Sequence, residues 1–210
     1  MKKFFIGCYN KSVILTHLSV ACSIFGMANL LWPRIGVYSM DYLRISIILL
    51  MLAGICDMFD GAVARRCKRT EQEKEFGIQL DSLADTISFV AYPIVILLYI
   101  TEACFPAILI SIFYAVAGVT RLGWFNIMTD TNKGFYQGLP VTFSALIIPV
   151  VYTALKLMNI TNVLFIFLAL YFAIAAAFIL NFKLKKPGMK ILICIAVLAI
   201  AMIAALLFLV

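Results

Sequence analysis

The chain has 210 residues, of which 65% are apolar and only 13% are charged, and its mean hydropathy is +1.08. This composition excludes an ordinary soluble enzyme and a disordered chain. The formal charge of +7 does not indicate nucleic acid as a partner, because the lysines and arginines are scattered between apolar runs. We therefore expect one all-α polytopic membrane domain.

Apolar runs of roughly 20 residues are long enough to cross a bilayer, and the sequence contains seven candidates. In chain order they cover residues 13–32, 43–60, 79–101, 103–127, 139–157, 160–181 and 189–209. The opening residues 1–12 are basic and then apolar, and this apolar stretch is too short for the core of a signal peptide. We expect them to form a cytoplasmic or interfacial segment.

The basic residues are strongly biased to one side of these spans. With the N-terminus inside, fourteen of the seventeen fall on the inner side, which leaves Arg34, Arg44 and Lys156 outside. Loops rich in lysine and arginine are retained in the cytoplasm during insertion. The sequence therefore predicts a multi-pass cell-membrane protein whose N-terminus and inner loops are cytoplasmic.

Four of the six aspartates lie at the inner ends of the second and third spans, where ionised carboxylates are costly. At about 100° per residue, Asp57 and Asp60 share one helix face, and so do Asp81 and Asp85. Because the two spans run in opposite directions, both faces meet at the same depth. Four carboxylates would repel one another there unless cations lie between them, and an all-oxygen set favours Mg²⁺ or Mn²⁺.

Small residues and one arginine accompany the aspartates. Gly61, Ala64 and Gly77 remove side-chain bulk, so that a ligand or a neighbouring helix can approach the backbone. Arg65 offers a planar guanidinium suited to phosphate oxygens. Taken singly, each residue is more simply an anchor or a packing residue. Taken together, they indicate a pyrophosphate-bearing substrate at a membrane surface and a two-metal displacement at phosphorus.

Residues 57–65 and 77–85 read DMFDGAVAR and GIQLDSLAD, and they resemble the signature D-x2-D-G-x2-A-R, spacer, G-x3-D-x3-D of the CDP-alcohol phosphotransferase family. The resemblance implies a six-helix catalytic membrane domain over residues 13–181 and a homodimer. Residues 182–210 would add a basic loop and a C-terminal transmembrane helix.

The resemblance also implies roles for the signature residues. Asp57 and Asp81 would bridge two divalent cations, Asp60 would complete one site, and Asp85 would contact the other and act as general base. The residues implied for binding CDP are Asp60, Gly61, Ala64, Arg65 and Gly77. The spacer over residues 66–76 is longer than is common in the family, and we expect its additional residues, Glu71, Glu73, Lys74 and Glu75, in a solvated loop.

Residues 81–93, 120–126 and 138–140 are similar to the bacterial and archaeal phosphatidylserine synthases of that family, although Trp124 replaces a usual arginine. This similarity implies that L-serine attacks CDP-diacylglycerol and that CMP leaves. Serine carries a carboxylate, for which Arg121 is the best candidate partner, and Asn126 could orient a polar group. Asn10 and Thr16 are weaker candidates on the nucleotide side.

Two alternatives remain at this point. The same chemistry could use glycerol 3-phosphate, an inositol phosphate or another alcohol, or an ether-lipid donor. A phosphorylated acceptor would need a further basic pocket, and residues 129–137 offer only Lys133. A cation transporter is the second alternative, but it would place acidic groups near mid-membrane and often contain inverted repeats.

Overall fold

The computed structural model describes residues 7–9, 13–31, 42–128, 135–185 and 188–208, without the side chains of Arg65 and Met189. The α-helices of this part are α1 (Ile14–Leu31), α2 (Tyr42–Arg66), α3 (Glu71–Asp85), α4 (Tyr92–Ile100), α5 (Phe105–Met128), α6 (Ser144–Leu157), α7 (Leu164–Ile179) and α8 (Met189–Phe208). A π-helical turn (Thr86–Ala91) joins α3 to α4, and a 3-10 turn (Val141–Phe143) precedes α6. The strands are β1 (Phe135–Gln137) and β2 (Lys183–Lys185).

The prediction of a polytopic all-helical membrane fold is confirmed. Within the described residues, five helices are long and apolar enough to cross a membrane, namely Ile14–Leu31, Tyr42–Ala64, Glu71–Ile100, Phe105–Met128 and Lys190–Phe208. The fifth and sixth predicted spans correspond to shorter apolar helices, Val141–Leu157 and Leu164–Ile179. Large apolar side chains such as Phe105 and Phe165 are more than two-thirds exposed, as expected of surfaces that contact lipid.

The expectation of a solvated loop at Glu71, Glu73, Lys74 and Glu75 was wrong, because these residues form the start of α3. Thr70 caps the helix: its hydroxyl accepts a hydrogen bond from the Glu73 backbone N–H at 3.2 Å. The Glu73 carboxylate in turn accepts from the Thr70 backbone N–H at 2.9 Å. This reciprocal capping box satisfies donors that a helix start would otherwise leave free. Two of the four aspartates are therefore held on a helix that continues from Glu71 to Ile100.

A close contact between α1, α2 and α4 fixes the helices that carry the acidic residues. Gly26 faces Tyr92 so closely that a Cβ there would overlap the tyrosine hydroxyl. That hydroxyl donates to the Ser46 carbonyl at 2.6 Å. The Ser46 hydroxyl donates to the Gly26 carbonyl at 3.0 Å. Three helices are thus joined through buried polar groups that satisfy one another.

The π-helical turn begins directly after Asp85. Within the turn, the Phe89 carbonyl accepts hydrogen bonds from the hydroxyls of Tyr114 at 3.2 Å and Ser144 at 3.4 Å. These bonds tie the turn to α5 and to the start of α6. Single π-helical turns are frequent at functional sites. Here the turn fixes the end of α3, which carries Asp85.

The two strands were not predicted. They pair antiparallel, with Tyr136 opposite Leu184. Three residues are too few to give a recognisable alternation in sequence. The pair joins the segment that follows α5 to the segment that precedes α8, and it lies at the end of the bundle that holds the aspartates, since Tyr136 lines the same cavity as Asp57.

Gly138 sets the turn between β1 and α6, and we expect Gly138→Ala to lower the free energy of unfolding by about 1–3 kcal/mol. Its φ is +68°, and a Cβ would lie 2.7 Å from the Phe178 carbonyl oxygen. The Gly138 N–H also donates to the Phe182 carbonyl at 2.8 Å. Thermal unfolding of the detergent-solubilised protein measures the effect.

Gly123→Ala is the matched control for that substitution. Gly123 lies in α5, and a Cβ there would meet nothing within 4 Å. Alanine favours a helix by up to about 1 kcal/mol over glycine, so this variant should be as stable as the parent or more stable. Equal melting temperatures for the two variants would contradict the proposed role of Gly138.

Candidate functional site

Carboxylates from two helices converge at one end of the bundle. Oxygen atoms of Asp57 on α2 and of Asp81 and Asp85 on α3 all lie within 4.8 Å of one another. Asp60 on α2 lines the same cavity as these three residues. All four aspartates singled out in the sequence are therefore in one cluster.

The chemistry of this cluster fits a divalent cation. Carboxylates at such separations repel one another, and a cation placed between them removes that repulsion. The three ligand atoms that lie within 4.8 Å are all oxygens, which hard cations prefer. The spacing also suits the shared carboxylates of a two-metal centre.

Helix α1 contributes one polar contact to the cluster. The Thr16 hydroxyl donates a hydrogen bond to Oδ2 of Asp60 at 3.0 Å, and Thr16 is only 6% exposed. Such a bond restricts the rotamers of the carboxylate. Asn10, the other candidate from this part of the sequence, lies outside the described residues.

A cavity of about 420 Å³ opens onto the acidic cluster. The residues that form its polar end are Asp57, Asp60, Gly61, Asp81, Asp85 and Arg121. Ala64 and Gly77 are not part of the described cavity wall and lie one helical turn beyond it, on α2 and α3. The Arg65 backbone belongs to α2, and its side chain lies outside the described part of the structure.

Arg121 is a buried cation in the cavity wall. It is 6% exposed, and its guanidinium carbon lies 5.2 Å from the centroid of the Phe125 ring. Its buried Nε has no hydrogen-bond partner among the residues that the structure describes. A buried N–H without a partner is costly, so an anion bound in the cavity would stabilise this position.

Asn126, the second residue predicted to bind serine, has a different environment. Its Oδ1 accepts a hydrogen bond from the Ser82 hydroxyl at 2.9 Å, and Asn126 is not among the described residues that line the cavity. Ser82 follows Asp81 in α3. The structure thus brings Arg121 to the cavity and places Asn126 as a link between α5 and α3.

Tyr136 on β1 lines the cavity and was not singled out from the sequence. Its ring centroid lies 6.1 Å from that of Phe125. Burial and the negative charge of Asp57 raise the pKa of the Tyr136 phenol, and the positive charge of Arg121 opposes the shift. The phenol therefore stays protonated near neutral pH and can donate or accept a hydrogen bond.

A hydrogen bond between side chains holds β1 against α5. Nε1 of Trp124 donates to Oε1 of Gln137 at 2.8 Å. Trp124 is the residue that departs from the resemblance to the phosphatidylserine synthases. In this chain the indole takes a structural role, because it fixes the strand that carries Tyr136.

The fold and the site define a polytopic helical membrane protein with a cavity at one end that combines four carboxylates with a buried arginine. Residues 9–175 match the family described as CDP-alcohol phosphatidyltransferase. Because the match covers most of the chain, the protein belongs to this family.

Individual relatives carry related names. The chain is 38% identical over 108 residues to an archaetidylserine synthase of Methanothermobacter thermautotrophicus. The matched region covers 50% of this chain and 45% of that protein. It is 32% identical over 144 residues to a CDP-diacylglycerol–serine O-phosphatidyltransferase of Helicobacter pylori, covering 66% of this chain and 57% of the relative. A Saccharomyces cerevisiae protein of the same name is 33% identical over 126 residues, and the matched region covers 55% of this chain and 44% of that protein. The chain thus spans about half the length of these relatives.

Proposed function

We propose that the protein transfers the phosphatidyl group of CDP-diacylglycerol to the hydroxyl of L-serine, giving phosphatidylserine and CMP. The observation that carries this proposal is one cavity that holds both the cluster of Asp57, Asp81 and Asp85 and the buried Arg121. The first feature suits a pyrophosphate with its cations, and the second suits a carboxylate. The names of the relatives support serine as the acceptor.

The donor would lie with its pyrophosphate against the acidic cluster. Two divalent cations, Mg²⁺ or Mn²⁺, when bound, would neutralise the phosphate charge and polarise the phosphorus that is attacked. Asp57 and Asp81 would hold both cations, with Asp60 and Asp85 completing the two sites. Gly61 leaves room for the nucleotide at the cavity wall. Further CDP contacts are proposed for Ala64, Arg65 and Gly77.

The acceptor would enter from the Arg121 side. Its carboxylate would pair with the guanidinium, which brings the hydroxyl towards Asp85. Asp85 takes the hydroxyl proton as the serine oxygen forms a bond to the lipid-side phosphorus, and the bond between this phosphorus and the CMP oxygen breaks. Asn126 would be a positioning residue that acts on α3 through its hydrogen bond with Ser82. Thr16 would likewise position the Asp60 carboxylate through its hydrogen bond.

The position of the site suits two substrates of different solubility, since one is a membrane lipid and the other is soluble in water. We propose that the end with the aspartates faces the cytoplasm. The basic segment over residues 66–74 and the lysines of β2 lie at that end, and their positive charge favours this orientation. The homodimer remains a prediction.

An acceptor panel tests the proposal. Purified protein with Mn²⁺ and CDP-diacylglycerol should release CMP when L-serine is added, and much more slowly with glycerol 3-phosphate or an inositol phosphate. The physical reason is that Arg121 is the one basic side chain among the described residues of the cavity wall, whereas a phosphorylated acceptor carries additional charge. Faster CMP release with another alcohol would overturn serine as the acceptor.

Removal of metal gives a separate prediction. EDTA should abolish CMP release, and Mg²⁺ or Mn²⁺ should restore it, because the clustered ligands are carboxylate oxygens. Full activity in EDTA would contradict the two-cation site. Uptake of divalent cations into sealed vesicles without lipid substrate would instead support the transporter alternative.

A further inference from the structure

The turn that joins α2 to α3 contains an arginine that the chemistry at phosphorus does not use. Arg69 lies in this turn, and a Cβ built on Gly77 would lie 3.5 Å from its Nη1 atom. Gly77, Asp81 and Asp85 follow one another at intervals of four residues along α3, so they share one helix face. The Arg69 guanidinium therefore lies over the helix face that carries two of the four aspartates.

Local structure determines where this guanidinium lies. Arg69 directly precedes Thr70, the residue that caps α3 through its reciprocal hydrogen bonds with Glu73. A capping box of this kind fixes the direction of the chain at the helix start. From there the Arg69 side chain runs along α3 as far as Gly77, where the glycine leaves the backbone uncovered. The spacer between α2 and the aspartates of α3 thus brings a cation to the acidic end of the bundle.

The donor groups of Arg69 are available to a ligand. The side chain is partly buried, and it forms no ion pair or hydrogen bond with the residues that the structure describes. The acidic side chains of the first turn of α3 have other partners, since Glu71 pairs with Lys74 at 2.6 Å and Glu73 accepts from Thr70. A guanidinium presents five N–H donors in a planar arrangement, and here they face the surface beside Gly77.

The position of Gly77 indicates which part of the donor would reach it. Gly77 precedes Asp81 by four residues, about 6 Å along the helix axis, towards the charged start of α3. The apolar part of the same span follows Asp85. With the pyrophosphate at the aspartates, the diacylglycerol would extend towards the apolar part and the water-soluble nucleoside towards Gly77.

We propose that Arg69 binds the cytosine base of the donor and thereby selects a cytidine over a uridine liponucleotide. This inference rests on the proposed function, because the pyrophosphate at the acidic cluster sets where the base lies. Cytosine presents two neighbouring acceptors, N3 and O2, which match two N–H donors of one guanidinium. Uracil carries a hydrogen on N3, so it would place a donor against a donor. Arg69 would contact only the part that leaves as CMP.

The test compares two arginine-to-methionine substitutions. Arg69→Met removes the N–H donors and retains an unbranched side chain, and Arg66→Met makes the same change at an exposed residue at the end of α2. Each variant is assayed with L-serine, Mn²⁺ and either CDP-diacylglycerol or synthetic UDP-diacylglycerol. We expect Arg69→Met to lower the ratio of kcat/KM for the cytidine donor to that for the uridine donor by about tenfold. The KM for serine should stay at the parent value, and Arg66→Met should leave the ratio within about twofold.

Arg69→Lys covers the case in which the methionine variant does not fold. Lysine keeps the charge but lacks the pair of N–H donors, so the ratio should again fall, and the inhibition constant of CMP should rise while that of UMP stays constant. An equal loss with both donors would assign Arg69 to a phosphate and overturn recognition of the base, as would the parental ratio in both folded variants. Absence of serine-dependent CMP release in the parent protein would overturn the proposed function itself.

Discussion

Asp85→Asn is expected to lower kcat by about a thousandfold, while binding of CDP-diacylglycerol survives. The amide has nearly the shape of the carboxylate but does not accept the serine proton. Asp57, Asp60 and Asp81 remain to hold the cations and the pyrophosphate. Initial rates of CMP release, together with equilibrium binding of the labelled donor, separate the two effects.

Glu75→Gln is the matched control, because it makes the same chemical change on α3 at an exposed residue. It should leave both measurements near the parent values. Turnover of Asp85→Asn within tenfold of the parent would remove Asp85 as the base. Loss of donor binding along with turnover would show that Asp85 acts through cation binding alone and not as the base.

Arg121→Lys is expected to raise the KM for serine by about a hundredfold, which corresponds to about 2.7 kcal/mol, with little change in the KM for the donor. Lysine keeps the charge but loses the planar pair of N–H donors that matches a carboxylate. Charge-assisted hydrogen bonds contribute about 1.5–3 kcal/mol each. Steady-state kinetics with each substrate varied in turn measure the change.

Ethanolamine provides the internal control for this variant, since it has the hydroxyl and amine of serine and lacks the carboxylate. Parent and variant should use ethanolamine at equally low rates if Arg121 binds the carboxylate. A purely structural role for Arg121 would lower the two activities together and would also alter the KM for the donor.

The aspartates were predictable because charge is scarce in this sequence. Ionised carboxylates at the ends of apolar helices are costly, and their spacing by three and four residues fixes the helix face on which they lie. Oxygen atoms of Asp57 and Asp81, from different helices, lie within 4.8 Å of each other. The residue spacing therefore predicted which helix face carries each pair of aspartates. The opposite directions of the two spans predicted that the two faces lie at the same depth.

The remaining parts of the site depend on contacts between distant segments. Tyr136 reaches the cavity through the pairing of β1 with residues 183–185, and no local pattern encodes such a short pair. Residues of α8, such as Ile195, likewise reach the cavity only through packing between segments that are far apart in the chain. The start of α3 could have been predicted from the sequence, because Thr70 and Glu73 form a recognisable capping box. The prediction of a loop considered only the length of the spacer.

The most direct test of the account follows two labels through one reaction. The donor carries ³²P in its lipid-side phosphate, and the acceptor is ¹⁴C-labelled L-serine. We expect both labels in a single lipid product in equal amounts, with one unlabelled CMP released for each lipid formed. Recovery of ³²P in the nucleotide, or of a ³²P-labelled lipid without ¹⁴C, would contradict phosphatidyl transfer to serine.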